Sequence, residues 1–235
     1  MGKSFIEFKD VVKKYGKGEG EHIALDHINF TIEEGEFVVI LGPSGAGKST
    51  IMNMIGGMDR PSEGTVVVNG EEISNYTDRQ LSRYRADKTG FIFQFYNLLP
   101  GLTAKENISL SKVIVKNPGD PMDMLKAVGL EKQANKFPSQ MSGGEQQRVS
   151  IARALAKNPL MILGDEPTGA LDSETGVMVL ELIHNICKEQ NKTTILVTHN
   201  ADIAQCADRT IIVKDGKIKD VIHNEHPKKV NEVAW

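Results

Sequence analysis

The sequence predicts an α/β protein, and three observations carry that prediction. Apolar runs of strand length alternate with stretches of helical periodicity along most of the 235 residues. Phe37–Leu41 is a continuous apolar run that ends in a glycine-rich loop. Leu160–Leu163 is a second such run, and it ends in two adjacent carboxylates. Continuous apolar strands are what a sheet covered on both faces requires.

The elements follow in order. Phe5–Phe8 and Ile28–Ile32 alternate as half-buried strands, joined across the glycine-rich stretch Gly16–Glu21. Phe37–Leu41 leads into a helix over Lys48–Gly56. Val66–Val68 is a strand that turns at Asn69-Gly70, and Phe91–Phe93 is a short strand. From about Tyr96 to Gln140 the chain holds Pro100, Pro118, Pro121 and Pro138 and no strand pattern. This stretch reads as an inserted helical subdomain whose clear amphipathic helix is Met122–Val128. Glu145–Ala156 and Ser173–Gln190 are amphipathic helices, the second capped by Ser173 or by Asp172. Leu160–Leu163 and Thr194–Val197 are buried strands, and Arg209–Val213 with Lys217–Ile222 form a hairpin about Asp215-Gly216. The expected organisation is one domain. Residues 1–95 and 141–223 form the core, 96–140 the helical subdomain, and 224–235 a loosely ordered polar tail.

Composition narrows the function classes. Apolar residues make up 40% and charged residues 25%, enough for a real core. A net charge of −3 and only short lysine pairs argue against nucleic acid as a partner. Cys187 and Cys206 have neither metal-ligand nor framework spacing, and read as reduced thiols of a cytosolic protein. Met1–Phe5 lacks the apolar stretch of a signal peptide and the myristoylation pattern, and no run of about 20 apolar residues could span a membrane.

Two motifs carry chemistry. Gly42-Pro43-Ser44-Gly45-Ala46-Gly47-Lys48-Ser49-Thr50 matches G-x-x-x-x-G-K-[ST] between a strand and a helix. Glycines let backbone N–H groups converge on phosphate oxygens, and the helix adds its positive end. Lys48 brings a full charge to the β- and γ-phosphates, and the Ser49 hydroxyl suits Mg²⁺. In Leu160–Glu166, Asp165 is placed to reach the same Mg²⁺ through water. Glu166 is placed as general base on an attacking water. The plain alternative is a pair of acids capping the next helix. Asn191-Lys192-Thr193-Thr194 lacks the final Asp of a guanine-binding motif, which argues against a GTPase.

Met141-Ser142-Gly143-Gly144-Glu145-Gln146-Gln147-Arg148 resembles the signature sequence of ATP-binding-cassette (ABC) proteins, usually Leu-Ser-Gly-Gly-Gln. The resemblance covers most of the chain in the family's order. Tyr15 sits where the family stacks an aromatic on adenine, and Gln94 matches the Q-loop glutamine, a nucleotide and Mg²⁺ contact. Gly169-Ala170-Leu171-Asp172 matches the D-loop, and His199 the switch histidine that meets the γ-phosphate. Taken singly, Tyr15 is a surface aromatic, Gln94 a polar strand end and His199 a helix cap or core histidine. Their order gives them meaning. The resemblance implies a P-loop NTPase, RecA-like core with a mostly parallel sheet, an N-terminal antiparallel β-subdomain and an inserted α-helical subdomain. It implies an ATPase using ATP and Mg²⁺, with Glu166, His199 and Lys48 in catalysis. It also implies a dimer, in which Ser142, Gly143, Gly144 and Glu145 of one copy close on nucleotide held by the other. The sequence departs from the family at Met141 for Leu, Glu145 for Gln and Gly164 for the common Ala. Glu145 sets an acid near phosphate, so weaker ATP-driven dimerisation is expected.

Within the family the chain is similar to ATPases paired with FtsX-like permeases, through Phe93–Pro100 and Asp165–Asp172. Phe95, Tyr96, Leu98 and Leu99 follow Gln94 where relatives receive a permease helix, so an integral-membrane partner is expected near Gln94–Pro100. Packing of the small subdomain is the alternative use of these side chains. The implied location is the cytoplasmic face of a membrane, held there by the permease. The competing class is an ABC ATPase acting on nucleic acid or ribosomes without a permease. Such members carry coiled-coil insertions or two cassettes, and this sequence has neither.

Overall fold

The computed structural model describes residues 4–233. The readings made on Met1–Lys3 and on the last two residues of the tail lie outside the described residues.

The chain builds two sheets. β1 (Ser4–Tyr15) and β2 (His22–Glu33) form a long antiparallel hairpin, joined by β4 (Glu63–Val68) and β5 (Glu71–Glu72) in the order β2-β1-β4-β5. Both hairpin strands extend well beyond the alternating segments seen in the sequence. The reason is the bulged register: Asp10 has φ 50°, and the pairing shifts between Phe8 and Val11 and again beyond it. Each shift resets which side chains face inward, so no single alternation runs through the strand.

The second sheet holds β3 (Phe37–Leu41), β6 (Thr89–Phe93), β7 (Met161–Asp165), β8 (Thr193–Thr198), β9 (Arg209–Lys214) and β10 (Lys217–His223). Its order is β10-β9-β3-β8-β7-β6, parallel throughout except for the edge hairpin β9–β10. Asp215 and Gly216 sit at φ 51° and 70° in that hairpin turn.

The apolar runs are explained by layering. Phe37 and Val39 face one core cluster with α6 (Gly143–Leu155) and α7 (Ser173–Gln190), while Val38 and Ile40 face another with α1 (Lys48–Ile55) and the antiparallel sheet. Ile162 and Leu196 lie on the first side, Met161, Leu163, Ile195 and Val197 on the second. Every residue of such a strand is interior, so the sequence shows no alternation there.

The inserted stretch is helical, as expected. It comprises α3 (Ala104–Ser109), α4 (Ser111–Ile114) and α5 (Pro121–Ala127), followed by single 3-10 turns. Asp120 caps α5 with Pro121 at its first position. Asp172, not Ser173, caps α7 by accepting from the Thr175 N–H.

Two corrections are needed. No helix is predicted from the sequence at α2 (Asp78–Asp87), which is opened by a reciprocal Thr77–Gln80 capping box. Its face is thin, with only Leu81 and Tyr84 buried, so periodicity could not reveal it, but T-x-x-Q could have. The tail is not loose over 224–233. Asn224 and Lys228 are tied to Gln205, and Val230 and Val233 are buried in the core cluster that includes α7.

Candidate nucleotide site

Parallel pairing assembles the site. Leu41 pairs with Thr198, Asp165 with Val197, and Phe93 with Asp165. The residues that follow these positions therefore emerge at one edge: the Gly42–Thr50 loop, Gln94, Glu166 and His199. The carboxyl ends of parallel strands are where α/β folds place ligands.

The loop is close-packed on neighbouring backbone. A Cβ at Gly42 would lie 2.2 Å from the Val213 carbonyl oxygen, and Gly47 takes φ 104° beside Leu25 and Ala24. Gly47 is also the N-cap of α1, and no side chain caps that helix or places an acid in its first turn. Its leading N–H groups are thus left for a ligand. Lys48 is buried, and its ammonium donates to the Pro43 carbonyl at 2.9 Å, bridging the loop from within. Ser49 Oγ lies 3.5 Å from Asp165 Oδ1. Hydroxyl and carboxylate are hard oxygen donors, which fit a cation such as Mg²⁺ that also binds phosphate. Burial, then the neighbouring Glu166 charge, raises the Asp165 carboxyl above its ordinary value. A cation there would relieve that penalty.

Glu166 stands in a left-handed backbone at φ 45°, a cost that sites of chemistry tend to hold. Its N–H donates to Val197 O, and its Oε1 lies 2.9 Å from His199 Nδ1. An ionised carboxylate only accepts, so the imidazole is the donor. A Cβ at Gly169 would meet Gln94 Nε2 at 3.1 Å and Glu166 Oε2 at 3.3 Å, so that amide and that carboxylate face one small space. Gln94, Asp165, Glu166 and His199 are therefore brought together with Lys48 and Ser49.

Tyr15 is 41% exposed at the end of β1. Its hydroxyl donates to Asp59 at 2.6 Å, and Lys13 Nζ sits 4.7 Å over one ring face. Burial would raise the Asp59 carboxyl, but bonds from Lys13, Tyr15 and the Arg60 N–H hold it below its ordinary value. Tyr15 is legible in the sequence, but its anchor Asp59 is not.

The signature residues lie elsewhere. Ser142 caps α6, accepting from the Glu145 N–H at 3.2 Å, while the Ser142 N–H donates to Glu145 Oε2 at 2.8 Å. Gln133 Nε2 donates to the other carboxylate oxygen at 3.3 Å. The bond from Ser142 is the main cause holding the Glu145 carboxyl below its ordinary value. Among the described residues, none of these bonds reaches the Gly42–Thr50 loop. Asp172 is likewise turned onto its own helix, where backbone bonds lower its pKa.

Two side chains of α6 have partners that the sequence does not show, although Gln147 lies within the signature-like stretch. Gln147 is fully buried and donates to Phe93 O at 3.2 Å and Pro167 O at 2.6 Å. Arg153 donates to Asn97 O at 2.5 Å and Tyr96 O at 2.9 Å. In the sequence, neither residue is given a partner. Only the meeting of β6, β7 and α6 gives them partners.

Residues 25–169 match the model of a family described as ABC transporter. The chain is 48% identical over 233 residues to a Mycoplasma pneumoniae protein named as an ABC transporter ATP-binding protein, spanning 98% of this chain and 50% of that one. It is 46% identical to the macrolide export ATP-binding/permease protein MacB of Mannheimia succiniciproducens, over 92% of this chain and 34% of that one. The chain thus spans half or less of the length of these curated relatives. Among solved structures it resembles a dimeric post-hydrolysis state of an ATP-binding cassette bound to ADP and Pi. That match has TM-score 0.84 and 43% identity, covering 93% of this chain and 98% of the other.

Proposed function

Because the chain belongs to the ABC transporter family, we propose that it is an ATP-hydrolysing subunit that works as a pair and drives a membrane-embedded partner. The observation that carries the reading is the single sheet edge at which Lys48, Gln94, Asp165, Glu166 and His199 converge.

Each residue then has a task. The loop N–H groups and Lys48 hold the β- and γ-phosphates. Ser49, Gln94 and Asp165 would hold Mg²⁺, which would draw charge from the phosphate oxygens. Glu166 takes a proton from the attacking water, oriented by the hydrogen bond to His199. The free face of Tyr15 receives adenine. ADP and phosphate are the products. The Ser142–Glu145 end of α6 completes the site from a second copy, as supported by the dimeric form of the ADP- and Pi-bound relative.

The partner is proposed to be an integral-membrane permease of the FtsX-like kind, a reading supported by the likeness to an export protein with its own permease segment. Phe95 is 74% exposed and Leu99 is half-exposed, while Leu98 packs inward on the core. A groove of about 280 Å³ is lined by Phe91, Phe93, Leu110, Ile114, Arg153 and Lys157. Such a groove suits an amphipathic helix. None of the described helices is long and apolar enough to cross a membrane. The proposal places the chain at the cytoplasmic face, held by that partner.

Glu166→Gln tests the reading. Turnover is expected to fall about 10²- to 10⁴-fold while ATP binding persists and ATP traps the pair. Turnover near the wild-type rate would remove Glu166 from its task. Recovery of the native chain with ribosomes or DNA, and without a membrane protein, would contradict the permease reading.

A further inference from the structure

The helix α6 does more than present Ser142–Glu145 at its amino end. Gln147 lies one turn inside, and its amide holds two carbonyls of its own chain. Phe93 immediately precedes Gln94, and Pro167 immediately follows Glu166. Further along the helix, Arg153 holds Tyr96 and Asn97, which sit in consecutive left-handed conformations at φ 58° and 50°. One helix therefore grips residues 93–97 at three carbonyls and the Glu166 segment at a fourth.

Gln147 Oε1 is buried with no partner. A leucine would fill the same space without leaving an acceptor unpaired. The polar side chain is thus costly as packing, and its use lies in the two bonds its amide donates. Hydrogen bonds fail within a few tenths of an ångström of stretch. When α6 moves as a rod, Phe93 and Pro167 must follow it or lose those bonds.

We propose that Gln147 is a positioning residue that couples two nucleotide sites. Nucleotide held on a second copy engages Ser142–Glu145, shifts α6, and through Gln147 sets Gln94 and Glu166 at the site of this chain. The proposal rests on the two-chain ATPase reading. It assigns one bistable element, the α6 register against residues 93–97 and 166–167, that both sites bias.

The test is the ATP dependence of turnover by the full chain, above its dimerising concentration, for wild type and Gln147→Leu. Wild type is expected to be sigmoidal, with a Hill coefficient near ~2 for two coupled sites. Gln147→Leu is expected to bring the coefficient to ~1 and lower kcat about 10- to 100-fold, with ATP binding to the dilute single chain within about twofold of wild type. A variant with wild-type coefficient and kcat, or a wild type without sigmoidal response, overturns the coupling. Absence of any wild-type turnover breaks the ATPase reading itself, and the proposal falls with it.

If Gln147→Leu does not fold, amide exchange on wild type decides. With the ATP analogue AMP-PNP, exchange over 94–98 and 168–170 is expected to slow only above the dimerising concentration. Equal slowing in the dilute single chain would overturn the proposal, because nucleotide would then order these segments without a second copy.

Discussion

Two helices of this chain begin at glycine-rich turns, and their first turns are finished in opposite ways. The amino end of α1 has Gly47 as its cap, no side-chain acceptor and no acid, and a buried lysine stands beside it. The amino end of α6 is closed by Ser142 and by the carboxylate of Glu145. An uncapped helix start is an anion site waiting for its anion, whereas a reciprocally capped one has already spent a donor and carries its own negative charge. On the proposed reading, intrinsic phosphate affinity resides at Gly42–Thr50, and the α6 end would contribute when a phosphate is brought to it on another surface.

Between the two helix ends, the largest expected effect follows from removing the lysine. Lys48→Met should weaken ATP binding by the dilute chain roughly 10- to 100-fold, the loss of a charge-assisted bond of about 1.5–3 kcal/mol. The matching change at the other helix, Ser142→Ala, costs about 1 kcal/mol of helix capping. It should leave that binding unchanged while lowering turnover of concentrated protein. Equilibrium binding by fluorescent nucleotide checks both, and equal losses of affinity would erase the contrast between the two ends.

Asp165→Asn probes the same sheet edge through stability. The folded chain raises the Asp165 pKa, so the folded state holds that proton more tightly than the unfolded one. Stability is then lost as pH rises through the ordinary carboxylate range toward the raised value, and the penalty stays in full at neutral pH. The asparagine variant should melt higher at pH 7, with the gain fading at acid pH. A lower melting temperature at pH 7 would mean that the carboxylate is stabilising there.

Glu145→Gln is the smallest and sharpest change. The sequence suggested that this acid weakens dimerisation through repulsion of phosphate. In the structure its carboxylate is folded back onto Ser142 and Gln133, with Lys136 and Arg148 nearby as partial compensation. Glutamine keeps the capping geometry, and an exposed charge is worth less than about 1 kcal/mol. ATP-driven dimerisation, followed by light scattering, should therefore tighten by less than about tenfold. No change would show that the cap has fully absorbed the charge.

The legible parts of the sequence were those where one residue type has one physical use. Phe37–Leu41 could be read because a strand covered on both faces must be apolar throughout. Gly47 could be read because the turn takes φ 104° against Leu25 and Ala24. Asp165 and Glu166 stood out as acids ending an apolar strand. What stayed hidden was whatever depends on a meeting of distant segments. Gln147 and Arg153 have ordinary positions on a helix, and Phe93, Tyr96, Asn97 and Pro167 give them a purpose only once the sheet is assembled. Asp59 is a single acid in a loop until Lys13 and Tyr15 reach it from β1. The buried face of 224–233 was hidden because two valines among polar residues make no pattern, yet both find α7.

The separation of the two phosphate-facing helix ends is tested most directly by the specific rate of ATP hydrolysis against protein concentration. If one active site needs Gly42–Thr50 from one chain and Ser142–Glu145 from another, the rate per chain should rise with concentration and level off once the pair is formed. A rate per chain that stays constant through dilution well below the pairing range would contradict the shared site and place all of the chemistry within a single copy.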